Sequence, residues 1–456
     1  MSKITFMGAG STVFVKSVMG DVMMTPSLRD FEICLYDIDA TRLRSSKTML
    51  DVLNKNVNKG RAKITAKCGI KNRQAALRGA KYVVNAIQVG GYEPSTVIDF
   101  EIPKKYGLQQ TIGDTLGIGG IFRSLRTAPI MLDFANDIER VCPEAWFLTY
   151  TNPMAILTGV MQRSTNVKTV GLCHSVQVVA DNLLSSFPAI KKKYKKIRTK
   201  VAGINHMAWL LEITGDGKDI YPEIKAAAKK LVASERKKSA NVIPGKNKDP
   251  KKNGDLVRLE LMLKFGYYIT ESSEHNAEYH PYFIKKNYPQ LLEEYNIPLD
   301  EYPRRCVAQI ANWEKQNKDI LDNSKITHKR TREYASAIMD AIETDKPFRI
   351  GGNVMNTGLI PNLPSEAVVE VPCLVDSNGI QGTYVGNLPE QCAALNRTNI
   401  NTQLLTIEAV LTQKKDAIYQ AAMLDPHTAS ELSMDQIVKM CNEMIKAHGS
   451  FLPRYR

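Results

Sequence analysis

The chain has 456 residues, enough for two or three domains of ordinary size and a sizeable core. Its composition is 43% hydrophobic, 24% charged and 7% aromatic, ordinary for a soluble globular protein, and no apolar run approaches the ~20 residues that cross a bilayer, so no membrane partner is expected. The net charge of +14 gathers in residues 191–200 and 225–253. Apart from Tyr194 these runs lack interleaved aromatics, so they read as solvated lysine-rich faces, and no nucleic-acid partner is expected.

The N-terminus enters a strand pattern at once, with no secretory leader pattern, and cytoplasmic localisation is the expectation. Eight scattered cysteines, with no CxxC pair, read as reduced thiols rather than a disulfide framework.

In chain order, residues 3–7 read as a buried strand, GAGS as a tight turn, and residues 12–24 as a helix. Strands follow at 32–39, 62–68, 81–88, 145–153 and 168–175, with helices at 41–57, 72–80 and 128–142 between them. Strands alternating with helices predict a doubly wound parallel sheet, a Rossmann-like α/β domain. Beyond residue 200 the alternation weakens. Residues 202–214 read as one strand, and helices are expected at 255–265, 306–322, 330–343 and 400–422. The division expected is a dinucleotide-binding domain over 1–195 and a mixed α+β, mostly helical domain over 196–456, which would carry substrate, metal and oligomer contacts.

Gly8, Gly10 and Ser11 follow the first strand, where glycines permit a tight turn and close approach of a pyrophosphate to a helix N-terminus. Val13 occupies the usual place of a third glycine. Asp37 ends the next strand, where a carboxylate accepts hydrogen bonds from both ribose hydroxyls of NAD and repels the 2′-phosphate of NADP. Asn85, at the end of the fourth strand, is a further cofactor candidate. Polar groups also fall at the other strand ends: Glu93, Asp114, Asn152, Cys173 with His174, and Asn205 with His206. A thiolate and an imidazole can hold a divalent transition metal, with an oxygen ligand from Asn152. On spacing alone, a buried thiol and a hydrogen-bonded core histidine are the more common explanation for Cys173 and His206. The segment TESSEHNAEYHPYF is dense in Glu, Tyr and His beside apolar residues, which suits a site lining or a wet helix face.

The strings ITFMGAGS, LYDID, IQVGGYEP, GDTLGIGGIFRSLRT, YTNPMA, GLCHSV, AGINHMAW, TESSEHNAEY and DPHTA run from residue 3 to about 427. Together they resemble glycoside hydrolase family 4, glycosidases that use NAD and a metal in place of two carboxylates. The CHSV string at 173–176 is similar to the α-galactosidase branch. The resemblance implies an overall lactate/malate dehydrogenase-like fold and a homodimer or homotetramer. It implies Cys173 and His206 as ligands of Mn²⁺ or another divalent metal, Asn152 as a substrate ligand beside it, and His174 as proton donor to the leaving group. Glu93, Asp114 and His275 are further substrate candidates. The base at sugar C2 is expected at Tyr267 or Tyr268, with Glu271, Glu274 and His275 competing.

The chemistry implied is oxidation of the sugar at C3 by NAD, metal-assisted removal of the C2 proton, elimination of the aglycone, addition of water and return of the hydride. Alternatives within the family are an α-galacturonidase or an α-glucosidase. Outside it the alternatives are an NAD-dependent 2-hydroxy-acid dehydrogenase, which would accumulate NADH, and a protein that only senses NAD or binds nucleic acid.

Overall fold

The computed structural model describes residues 2–238, 248–321 and 323–456. Residues 239–247 of the lysine-rich stretch, and residue 322 at the end of one expected helix, lie outside the described residues. Among the described residues thirteen strands share one sheet. They are β1 (Lys3–Met7), β2 (Glu32–Asp37), β3 (Lys63–Cys68), β4 (Ala80–Asn85), β5 (Trp146–Thr149), β6 (Lys168–Gly171), β7 (Ile197–Ile204), β8 (Met207–Gly215), β9 (Lys218–Asp219), β10 (Tyr268–Ile269), β11 (Phe348–Met355), β12 (Val368–Asp376) and β13 (Gly379–Gly382).

The first six strands are parallel, in the order β3-β2-β1-β4-β5-β6. That is the doubly wound dinucleotide-binding order, whose direction reverses at β1 and opens a crevice at the strands' C-terminal ends. All five residues of β1 are buried, as a parallel strand covered on both faces requires. The sheet then continues: β11 joins the edge of β6 antiparallel, and β12, β7, β8 and β10 follow. The remainder of the C-terminal half is mostly helical, as expected. Its helices Glu390–Thr412, Lys415–Leu424 and Met434–His448 pack against helix Gly117–Val141, helix Met154–Ser164 and β5 in a second core that includes Phe122, Leu125, Phe147, Ile407, Ile418 and Met440.

Several boundaries differ from the sequence reading. The strand expected over 202–214 is a hairpin, β7–β8, turned by Asn205 and His206, with Ile204 opposite Met207. His206 adopts a left-handed φ of 63°, uncommon for a residue with a Cβ. The strands expected at 145–153 and 168–175 end at Thr149 and Gly171, releasing Tyr150–Asn152 and Leu172–His174 from the sheet. The helix expected over 128–142 begins eleven residues earlier, at Gly117. The helix expected over 400–422 is two helices, broken where Gln413 turns at φ 56°.

Candidate active site

A cavity of about 550 Å³ opens where β4, β5 and β6 end. Ala86–Gln88, Tyr150–Asn152 and Leu172–His174 wall one side. The tip of the β7–β8 hairpin supplies His206, and the chain after β10 supplies Glu271, Ser272 and His275. Pairing fixes the second approach. Tyr268 and Ile269 lie opposite Leu210 and Trp209, and Thr270 exchanges two hydrogen bonds with Ala208 at 2.8 and 3.0 Å. Glu271 then turns with a left-handed φ of 65° and comes beside His206. Two non-glycine residues so placed at one site are unusual backbone that the surroundings must hold.

Donor atoms of Cys173, His206 and Glu271 lie within 4.8 Å of one another, close enough for one ion. A soft sulfur, an imidazole and a carboxylate together suit a divalent transition metal. Glu271 Oε2 is 3.4 Å from His206 Nε2, and the Tyr279 hydroxyl is 3.4 Å from the other ring nitrogen, so the ring is held from both ends. Burial lowers the His206 pKa and keeps a neutral imidazole available as a ligand. Burial, then the nearby Glu370 and Glu271, pushes the Cys173 thiol up, so a metal must displace its proton. The side-chain oxygen of Asn152 lies buried at this wall with no hydrogen-bond partner, an acceptor waiting for a ligand. These residues fit a metal. Glu271, one of the residues competing for the base, stands with Cys173 and His206 as the third group of this cluster.

Asp114 also lines the cavity, with its carboxylate 3.7 Å from His275 Nε2. Burial works against ionising Asp114, but His275 and then Arg123 outweigh it and hold the carboxyl below its ordinary range. Burial also opposes a charged His275, yet Glu271 and then Asp114 raise its pKa to about 9. His174 borders the cavity with its ring stacked on Tyr150, the centroids 5.8 Å apart. Its Nε2 is 2.5 Å from Glu333, whose hydrogen bond raises its pKa against burial.

The dinucleotide features gather at the N-terminal turn. Gly8 has φ 86°, and a Cβ there would stand 2.7 Å from the Ala86 carbonyl oxygen. A Cβ on Gly10 would stand 3.0 Å from the Asp37 carboxylate, which accepts the Gly10 N–H at 2.6 Å. Helix Thr12–Met24 begins at once, and Ser11 makes no capping bond to it, which leaves the Val13 and Phe14 amides for an anion. The turn fits a pyrophosphate, with Asp37 beside it for a ribose.

Apart from Gly8, Gly10, Ser11 and Asp37 at the cofactor turn, four expected site residues do not line the cavity. Tyr268 is fully buried with its hydroxyl on Asp255 and its ring 4.6 Å from the Arg258 guanidinium, because β10 turns it into the core. Tyr267 packs edge-on against Tyr221 with Lys225 over its ring. Glu93 is exposed in the 91–96 segment, outside the cavity lining. Asn85 is fully buried and donates its amide to Thr149 and Thr151, both at 3.1 Å, so it ties β4 to β5 beneath the site. Glu274, a competitor for the base, pairs with Lys248 at 3.0 Å and does not line the cavity. Sequence reasoning missed Arg123, Arg258 and Glu333. Both arginines line the cavity, Arg123 from the helix turns that precede the expected start at 128 and Arg258 from a helix read without a site role, and nothing local marks Glu333, 159 positions from His174.

Comparison with known proteins places this arrangement among glycosidases built on a dinucleotide-binding sheet. The profile described as "Family 4 glycosyl hydrolase" matches residues 3–187, and that described as "Family 4 glycosyl hydrolase C-terminal domain" matches residues 201–428. The chain belongs to the family 4 glycosyl hydrolases. It is 59% identical to an α-galactosidase of Bacillus subtilis over the full length of both chains. It is 33% identical to an α-galactosidase of Rhizobium meliloti, covering 99% of this chain and 89% of that one. A 6-phospho-α-glucosidase from gut microorganisms, solved with NAD and Mn²⁺, shares the fold with a TM-score of 0.79 at 19% identity, covering all of both chains.

Proposed function

We propose that this glycosidase hydrolyses α-galactosides by an oxidation–elimination route, with NAD bound at the Gly8–Ser11 turn and Mn²⁺ or a similar cation held by Cys173, His206 and Glu271. The observation that carries the reading is the cluster of those three donor groups beside a dinucleotide turn, in a chain 59% identical to an α-galactosidase. When bound, NAD supplies a reversible hydride acceptor for sugar C3, and the metal supplies Lewis acidity for the neighbouring oxygens. A C3 ketone makes the C2 hydrogen acidic.

The chain's own residues do the rest. Asn152 offers its free side-chain oxygen to a sugar hydroxyl. His275, fixed through Nδ1 by Ser272 at 2.8 Å and facing Asp114, lies beside the metal donors; a cation on Glu271 would offset the charge that first raises its pKa, and we assign the C2 proton to His275, with Asp114 orienting the ring. As the C1–O bond breaks, its electron pair goes to the leaving oxygen, and the C2 electron pair becomes the C1=C2 bond. His174 gives its proton to that oxygen. Water then adds across the double bond and the hydride returns to C3, so there is no net redox. A thiolate ligand needs reduced sulfur, which suits the cytoplasm. We read 1–195 as the NAD-binding domain and 196–456 as the domain completing the site, in a homodimer or homotetramer.

One observation favours a second substrate. Arg258 lines the cavity with its Nη1 buried and without a hydrogen bond, a donor suited to the C6 carboxylate of a galacturonide.

The deciding assay compares p-nitrophenyl α-galactoside, α-glucoside and α-galacturonide, each with and without NAD, Mn²⁺ and thiol. Turnover of the galactoside that requires all three additives, with no build-up of NADH, is expected. Faster galacturonide turnover would transfer the assignment to the second reading, and steady NADH accumulation would indicate a dehydrogenase.

The cofactor end has its own test. Asp37→Ala removes the expected ribose acceptor and the partner of the Gly10 amide. It is expected to weaken NAD about tenfold, the worth of a charge-assisted hydrogen bond, and to narrow the preference over NADP. Fluorescence titration with both nucleotides measures this, and an unchanged NAD affinity would remove Asp37 from the site.

A further inference from the structure

Residues 324–334, leading into helix Ala335–Thr344, run past Asn56 and Asp21 at the dinucleotide end of the molecule as a strap. Its anchor is Asp21, fully buried on helix Thr12–Met24. The Asp21 carboxylate lies 2.7 Å from His328 Nε2 and accepts the Thr331 amide at 3.0 Å and the Thr331 hydroxyl at 2.5 Å. Gly20 makes room for this. A Cβ there would stand 2.7 Å from the His328 ring.

Glu333 and Tyr334, at the end of the strap, act on the site. The Thr331 hydroxyl oxygen accepts the Glu333 amide at 3.0 Å. Glu333 then reaches His174 Nε2 at 2.5 Å, from a side chain only 10% exposed beside a histidine side chain 48% exposed. The Tyr334 hydroxyl spans the carbonyl oxygens of Cys173 and Gly351 at 2.9 and 3.1 Å. Tyr150 and Phe14 bound the His174 ring on its sides. With Nε2 tied to Glu333, Nδ1 is the ring nitrogen left for a substrate in the cavity.

We infer that Glu333 is the positioning residue for His174: it fixes the ring so that Nδ1 meets the leaving oxygen, and the strap registers that ring against the helix that carries NAD. The inference rests on the reading of His174 as proton donor. A carboxylate partner on the far nitrogen of a catalytic imidazole sets both its tautomer and its direction. In the step served, the Nδ1 proton passes to the leaving oxygen as the C1–O bond breaks, and His174 is left neutral with its remaining proton on Nε2, facing Glu333.

The test uses leaving groups that differ in their need for a proton. Wild-type enzyme, Glu333→Gln and His174→Ala are assayed with NAD and Mn²⁺ on methyl α-galactoside and on p-nitrophenyl α-galactoside. Methoxide needs protonation, whereas p-nitrophenolate leaves without it. Glu333→Gln is expected to lose about tenfold more kcat on the methyl glycoside than on the p-nitrophenyl one, and His174→Ala to show the same split, larger. A merely structural role would lower both substrates alike. A split in His174→Ala with none in Glu333→Gln overturns the inference and leaves the proton donor in place. No split in His174→Ala, with NAD binding retained, overturns the underlying reading and the inference with it. Should Glu333→Gln fail to fold, Glu333→Asp keeps the charge with a shorter reach and must show the split.

Discussion

Cys173→Ser is expected to lower kcat/KM by about a hundredfold or more at saturating Mn²⁺, while NAD binds within about twofold of wild type. The substitution changes one atom in a buried position, so little packing is lost. The chemistry changes completely. A cysteine sulfur sheds its proton to a metal, even though burial and the nearby Glu370 and Glu271 push the free thiol up. A serine hydroxyl, far less acidic, stays protonated and offers a weak neutral ligand. His206 and Glu271 alone then hold the cation, and both the affinity and the geometry of the site suffer. Metal titration by calorimetry together with steady-state kinetics checks both halves. The same argument predicts that peroxide inactivates the wild-type enzyme and that added thiol restores it. A Cys173→Ser enzyme keeping more than a tenth of wild-type activity would remove the thiolate from the site.

What could be read in the chain depended on how local its cause was. Gly8 and Asp37 were legible because the turn is built from neighbours in sequence. The first strand ends, Gly8 must go left-handed under the Ala86 carbonyl, and the acid closes the next strand. Cys173, His174 and His206 were legible as residue types at strand ends. Their convergence was not, because it depends on a β7–β8 hairpin whose turn falls inside a run that reads as one continuous strand. Tyr267 and Tyr268, the tyrosines expected as base, lie off the cavity lining for a related reason. Two residues of β10 decide which way Tyr267 and Tyr268 point, and that direction is set by pairing with β8 rather than by any periodicity in the segment. Glu333 had no local signal at all. It reaches His174 only through a contact between Asp21 and Thr331, 310 positions apart in the chain. Resemblance supplied the family, and with it the roles. Geometry added Glu271 beside Cys173 and His206 and left Glu93, Asn85 and the two tyrosines off the cavity wall.

Glu278→Gln tests how the second wall is held. Glu278 is buried on helix Ser273–Tyr279, and its two carboxyl oxygens accept three consecutive backbone amides. Oε2 takes Thr111 at 2.8 Å and Ile112 at 3.1 Å, and Oε1 takes Gly113 at 2.8 Å. The next residue is Asp114, which faces His275 across 3.7 Å. One carboxyl group therefore moors the loop that presents Asp114 to His275. Glutamine is nearly the same size but has one acceptor oxygen, and its NH2 group would point at an N–H donor. At least one buried amide loses its partner, at about 1–3 kcal/mol. The loop's cheapest relief is to move away, which displaces Asp114 and with it the His275 ring. A misplacement of about 1 Å at a reacting group can cost about a hundredfold. The expected result is therefore a fall in kcat/KM of about ten- to a hundredfold, with NAD affinity unchanged because the Gly8 turn is built from other elements. Kinetics and fluorescence titration on the same preparation separate the two. Full activity in Glu278→Gln would show that the loop holds Asp114 without this carboxyl group. An equal loss of NAD binding would show that the damage spreads through the fold rather than staying at the wall.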